Sequence, residues 1–239
     1  MKKLNHIVLT ALFILSSTLL ISGQAADKET RNLKGFTKVS FGVPGNLYVH
    51  IGPEFRVELE ADKELLSEIE TEVSDGRLVI KKDNFTVFNW TGFNNSKVIV
   101  NITMPSLEGL GVSGSGQAEV LDALKAGSLK LSVSGSGRLY LNDVNAESVD
   151  CSISGSGDVI VKGSGSSEKA DISISGSGSY TGESYKLDAA VIHISGSGNC
   201  LCNVTGTLEA HVSGSGNVTY SGNPRVDARV SGSGRVRSK

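Results

Sequence analysis

The sequence predicts an all-β fold, a parallel β-helix (solenoid) with coils of about 20 residues, and three observations predict it. Seven copies of Ser-Gly-Ser-Gly begin at Ser113, Ser134, Ser154, Ser175, Ser195, Ser213 and Ser231, a nearly constant period. Apolar residues fall at every second place on both sides of each copy, which is the period of a strand with one buried face. The repeats also share one phase, so successive coils can run in the same direction. An antiparallel sandwich or barrel also suits short, regularly spaced strands, but hairpin strands alternate in direction and need no identical corner.

Residues 1–25 read as a signal peptide. Lys2 and Lys3 precede a charge-free apolar run from Ile7 to Ile21, and Gly23-Gln24-Ala25 then offers small residues for cleavage after Ala25. The run is short for a bilayer core, which needs about 20 residues. Cysteine occurs only at Cys151, Cys200 and Cys202, away from this junction, so a lipid anchor is not expected, nor is an integral membrane segment after cleavage.

Residues 26–105 read as an N-terminal cap with degenerate first coils. Val39-Ser-Phe-Gly-Val-Pro-Gly-Asn-Leu-Tyr-Val49 aligns without gaps on Leu131-Ser-Val-Ser-Gly-Ser-Gly-Arg-Leu-Tyr-Leu141. Strand-like Arg56 to Ala61 follows, then a helix-compatible stretch from Asp62 to Glu72 with Leu65, Leu66 and Ile69 on one face, then strand-like Leu78 to Lys82 and Val98 to Thr103. Terminal repeats of a solenoid depart from consensus because they must cover an open core.

Residues 106–239 read as the repeat solenoid. One place before each motif stand Val112, Val133, Ile153, Ile174, Ile194, Val212 and Val230; three before stand Leu131, Cys151, Ile172, Ile192, Ala210 and Ala228. The places between are polar, as in Lys130, Ser132, Ser152, Ser173, His193, His211 and Arg229. Alternation resumes after the motif with Leu139, Val159, Cys200, Val218 and Val236. If parity runs straight through, both glycines of each motif face inward and both serines outward. Coils stacked at about 4.8 Å would make a rod of roughly 35 Å.

The segments Phe36-Thr-Lys-Val-Ser, Gly45-Asn-Leu-Tyr-Val, Asp75-Gly-Arg-Leu-Val-Ile80, Val98 to Pro105 and Leu110-Gly-Val-Ser-Gly-Ser-Gly116 together resemble the head GIN domain family, described as an auto-transporter adhesin head. The resemblance covers roughly residues 35 to 235. It implies an exported β-solenoid and an adhesin-like role, and it carries over no catalytic residue. An autotransporter also needs a C-terminal membrane barrel of many strands; with the last motif directly before Lys239, self-secretion is not expected.

Composition narrows the function classes. A formal net charge of -2, made more acidic by loss of Lys2 and Lys3, and the absence of a basic run argue against nucleic acid. Fourteen of the 29 glycines lie in the motif, so the excess is organised and does not read as a linker. β-Branched strand residues follow the glycines where a phosphate site would need a helix N-terminus, so no nucleotide site is expected. A nucleophile needs an adjacent, oriented base, and serines repeated in seven copies give no unique site. No enzyme activity and no cofactor are expected.

Two metal sets are candidates. His193 and His211 each lie two places before a motif and so stack on neighbouring coils, with Glu209 on the same face; imidazoles and a carboxylate suit zinc or copper. Asp150 and Asp171 stack in the column four places before the motif and suit calcium, against the alternative of a solvated acidic face. The cysteines are expected as buried free thiols, because an i, i+2 pair on one strand has poor geometry for a bridge.

The function expected is an exported, non-enzymatic binding protein of the envelope or the secreted fraction, in the periplasm, on the outer membrane surface or outside the cell. Its expected partner is a glycan or a cell-surface protein, met through a repetitive flat face. A structural or self-associating envelope protein, a homo-oligomer, is the alternative, although Arg235, Arg237 and Lys239 crowd the last strand. A polysaccharide-active β-helix enzyme is a third reading, for which no carboxylate pair with a basic neighbour converges.

Overall fold

A computed structural model describes residues 26–82 and 98–239. The expected signal peptide therefore lies outside the described residues. The first half of the chain forms β1 (Asp27–Arg31), β2 (Lys38–Phe41), β3 (Asn46–Ile51), β4 (Arg56–Ala61), α1 (Lys63–Glu68), β5 (Ile69–Ser74), β6 (Arg77–Lys82) and β7 (Ile99–Met104). Shorter and longer strands then alternate: β8 (Gly109–Gly114), β9 (Gln117–Val120), β10 (Leu124–Gly135), β11 (Arg138–Leu141), β12 (Val144–Gly155), β13 (Asp158–Val161) and β14 (Gly165–Gly176). The last part comprises β15 (Ser179–Gly196), β16 (Asn199–Gly214), β17 (Asn217–Ser221), β18 (Arg225–Gly232) and β19 (Arg235–Ser238).

These strands build the predicted β-solenoid. Each strand segment before a motif pairs in parallel with its equivalent in the next coil, from β8 through β10, β12, β14, β15 and β16 to β18. Segments after the motif form a second parallel column, from β9 through β11 and β13 to β19. The beginnings of β10, β12 and β14 form a third, set off from the first by a break in the pairing at Gly127, Glu147 and Glu168. The motif column and the columns beside it keep register rung after rung, as in Val133 beside Ile153 and Ile153 beside Ile174. Two shifts, between Gly182 and Lys186 and between Leu187 and Ala189 of β15, together absorb the shorter coil that follows Ser195. The shortening thus falls away from the motif face.

The alternating residues supply the core. Val112, Val133, Ile153, Ile174, Ile194 and Val212 are all buried, as are Leu139, Val159, Tyr180, Cys200 and Val218 on the second column. Each fully buried Val, Leu or Ile contributes about 1.5–3 kcal/mol, so a one-residue slip of a coil, which turns that set outward, is strongly opposed.

The corner differs from straight-through parity. In Ser134-Gly-Ser-Gly137 the second glycine is buried, but the first is only partly so, and it adopts φ +105°. A Cβ on Gly135 would meet the Gly114 carbonyl oxygen at 2.6 Å, and one on Gly137 would meet both the Gly116 oxygen and Val112 Cγ1 at 2.6 Å. The chain turns at the first glycine, where left-handed backbone is open to glycine alone without cost, and the second lets neighbouring coils close up. The backbone ladder continues round the bend: Ser136 N–H donates to Gly114 O at 2.8 Å and Ser156 N–H to Gly135 O at 2.8 Å.

At the N-terminal end the order of rungs departs from the order of the chain. β2 and β3 lie against β8 and β9, and β6 and β7 lie on their other side, all in parallel. Val39 stands beside Leu110, which stands beside Leu131, and Val49 beside Val120, which stands beside Leu141. β5 then adds antiparallel to β6, and β4 and β1 add antiparallel beyond β7. The helix expected over Asp62 to Glu72 stops at Glu68. Ile69 is already extended (φ -90°, ψ 113°), because Ile69 to Ser74 can pair with all six residues of β6. The six-residue helix turns buried Leu65 and Leu66 onto the core end. Arg31 Nη2 donates to Leu66 O (3.1 Å), satisfying an orphan carbonyl of its last turn.

Candidate functional site: the outward face of the motif column

The strand column that precedes the motif exposes two lines of side chains. One holds the first serines of the motifs; the other, two residues earlier, runs Ser132, Ser152, Ser173, His193, His211, Arg229 in register. Between them lies a shallow trough of about 540 Å³ that spans five rungs, from Ser152 and Ser154 to Arg229 and Ser231. Strand alternation creates it: the intervening Ile153, Ile174, Ile194 and Val212 point into the core, and at the last rung Val230 is 43% exposed.

The predicted histidines lie in its wall. The rings of His193 and His211 stack, with centroids 5.1 Å apart and planes 11° from parallel. His211 Nε2 lies 2.8 Å from Glu209 Oε1. That hydrogen bond, with the imidazole's charge, holds the Glu209 carboxyl below the usual glutamate range. Asp150 and Asp171 are register partners four places before their motifs. Lys130 Nζ approaches Asp150 Oδ2 from the preceding rung at 3.3 Å. The column continues through Val191, Glu209 and Asp227. Among the described residues no three His, Cys, Asp or Glu side chains converge on one point suited to a metal ion.

All three cysteines are free and buried. Burial pushes the Cys151 thiol far above its ordinary range, and a thiol contact with Cys202 together with burial does the same for Cys200. They pack as small apolar groups around Tyr180 and offer no reactive site.

The family model described as putative auto-transporter adhesin, head GIN domain, matches residues 35–224. The chain belongs to this family. Its fold recurs in solved structures. A putative adhesin from Bacteroides fragilis superposes with TM-score 0.80 at 21% identity, covering 90% of this chain and 98% of that one. A putative lipid binding protein from Parabacteroides distasonis gives 0.72 at 20% identity, over 91% and 98% of the two chains. A putative adhesin from Parabacteroides merdae gives 0.66 at 23% identity, over 91% and 97%. No curated protein matches at a significant level. Among the described residues of this head GIN domain protein, no helix is long and apolar enough to cross a membrane.

Two surface features of the head GIN domain lie outside the sites read from the sequence. The second column carries Tyr48, Glu119, Tyr140, Ile160, Thr181 and Leu201 outward in register, all partly exposed, with Lys162 Nζ 4.4 Å from the Tyr140 ring centre and 2.8 Å from Glu119. A groove of about 1020 Å³ follows the bend between the third column and the first, lined by Lys125, Lys169, Lys186, Glu147, Glu168 and Asp188 among others. The residues after the motif do alternate and could have flagged the first feature. At the bend the alternation breaks, so no signal marks the second.

Proposed function

We propose that this head GIN domain protein is an exported, non-enzymatic, adhesin-like protein that binds an extended glycan or a surface protein along the motif trough. The observation that carries the reading is the trough itself, with serine hydroxyls repeated on successive rungs about 4.8 Å apart. Such a surface offers the same weak polar contact many times over. A polymer or long strand that engages several at once gains affinity by multivalency. The N-terminal pattern of Lys2, Lys3, the apolar run and Gly23-Gln24-Ala25 supports export.

The test is protease shaving of intact cells carrying an epitope-tagged chain, with a periplasmic marker and the culture medium assayed alongside, followed by a glycan and surface-protein binding panel. Tag loss from intact cells or release into the medium, together with a saturable hit on the panel, is expected. Full protection of the tag, or no binding across the panel, overturns the reading.

Self-association is a second reading, favoured by one observation. Among the described residues β18 and β19 pair on one side only, and Val226 and Val230 are 37% and 43% exposed there. Open strand edges invite another chain; concentration-dependent mass by light scattering is the outcome that this reading requires.

A further inference from the structure

One place on the trough wall gathers nitrogen and oxygen donors from two adjacent strands. His193 of β15 and His211 of β16 are register partners, and Glu209 emerges on the same side of β16 as His211. The His211 and Glu209 side chains are 29% and 50% exposed, so both can be reached from solvent. On the neighbouring rungs Ser173 stands beside His193, and Arg229, beside His211 and within electrostatic reach of Glu209, has its guanidinium 3.8 Å from Asp227.

The hydrogen bond of 2.8 Å between His211 Nε2 and Glu209 Oε1 already holds these two donors together, and opening it by about half an ångström gives the spacing of two ligands on a tetrahedral cation whose bonds are about 2.0–2.2 Å. A cation there takes the place of the shared proton. His193 lies one strand away, about 4.8 Å, with its ring centre 5.1 Å from that of His211, so a site shared by all three donors requires its ring to turn out of the stack. We propose that His193, His211 and Glu209 bind a divalent transition metal, leaving a fourth position for water or for an oxygen of a bound partner. Two imidazoles and one carboxylate favour zinc, copper or nickel over calcium and magnesium, which prefer all-oxygen sites.

Calorimetric titration of the purified protein with Zn²⁺ in chelator-free buffer near neutral pH tests the site. The buried thiols are out of reach while the chain is folded. Saturable uptake of one Zn²⁺ per chain is expected. His193→Ala and His211→Ala should each weaken it about tenfold or more, His50→Ala should leave it unchanged, and Ca²⁺ should give no saturable heat. Circular dichroism confirms that the variants, at exposed positions apart from half-buried His211, remain folded. No saturable zinc uptake by the unsubstituted protein, or uptake indifferent to both His193→Ala and His211→Ala, overturns the proposal.

Discussion

Ser167 Oγ and Tyr185 Oη meet inside the solenoid at 2.5 Å. Among the described residues Ser167 is the one buried polar side chain, and Tyr185 is 1% exposed. A buried hydroxyl needs a partner, and here each supplies the other's. Tyr185→Phe strands the serine and should cost about 1–3 kcal/mol in chemical denaturation. Adding Ser167→Ala to that variant should recover part of the loss, because no orphaned group then remains. A double variant less stable than the sum of the two single ones would contradict the pairing.

The corner glycines should be intolerant of any side chain. Gly135→Ala combines a positive φ with an approach of 2.6 Å to the Gly114 oxygen, and Gly137→Ala drives a methyl against Val112. Each should cost about 1–3 kcal/mol. Ser136→Ala, on the exposed side of the same corner, should stay within about 0.5 kcal/mol of the parent. Denaturant midpoints of the three variants check the contrast.

Thiol reagents should find nothing to react with in the native state. Burial pushes the Cys151 thiol up, and Cys200 is raised in the same direction, so little thiolate exists near neutral pH and access is closed. Ellman's reagent should label the protein only after denaturation, and then at all three cysteines. Rapid native labelling contradicts the packing described for the core.

Acid should weaken the Glu209–His211 contact. Because hydrogen bonding and the neighbouring imidazole lower the Glu209 carboxyl in the folded protein, the contribution is present above the ordinary glutamate value and is lost as pH falls through the lowered one. Carboxyl NMR titration should place Glu209 below an unperturbed glutamate, and His211→Ala should return it upward. A Glu209 that titrates like a free side chain in the parent protein refutes the contact.

Much of the solenoid was legible because its physics is local. Val133, Leu131 and Leu129 alternate with Ser132 and Lys130, and a period-2 pattern repeated in phase permits parallel stacking. The same reasoning placed His193 against His211, since equal distance from the motif means equal height on the face. The N-terminal end was less legible. That β6 and β7 lie outside β2 and β3 depends on which edge each strand finds, and no periodicity encodes that choice. Ile69 to Ser74 became a strand against a helix-compatible pattern because a whole partner strand was available. At the corner, steric closeness between coils decided what parity could not: the first glycine turns, and only the second faces the core.

Ligand binding by a trough-blocked variant tests the central claim most directly. Ser175→Glu with Ser195→Glu puts two carboxylates on adjacent rungs of the trough edge without touching the core. Binding of the purified parent and the variant is measured on the ligand identified by the panel, with thermal melts to show that both are folded. Loss of binding with an unchanged melt is the predicted result; full binding by the folded variant contradicts the trough as the adhesive surface.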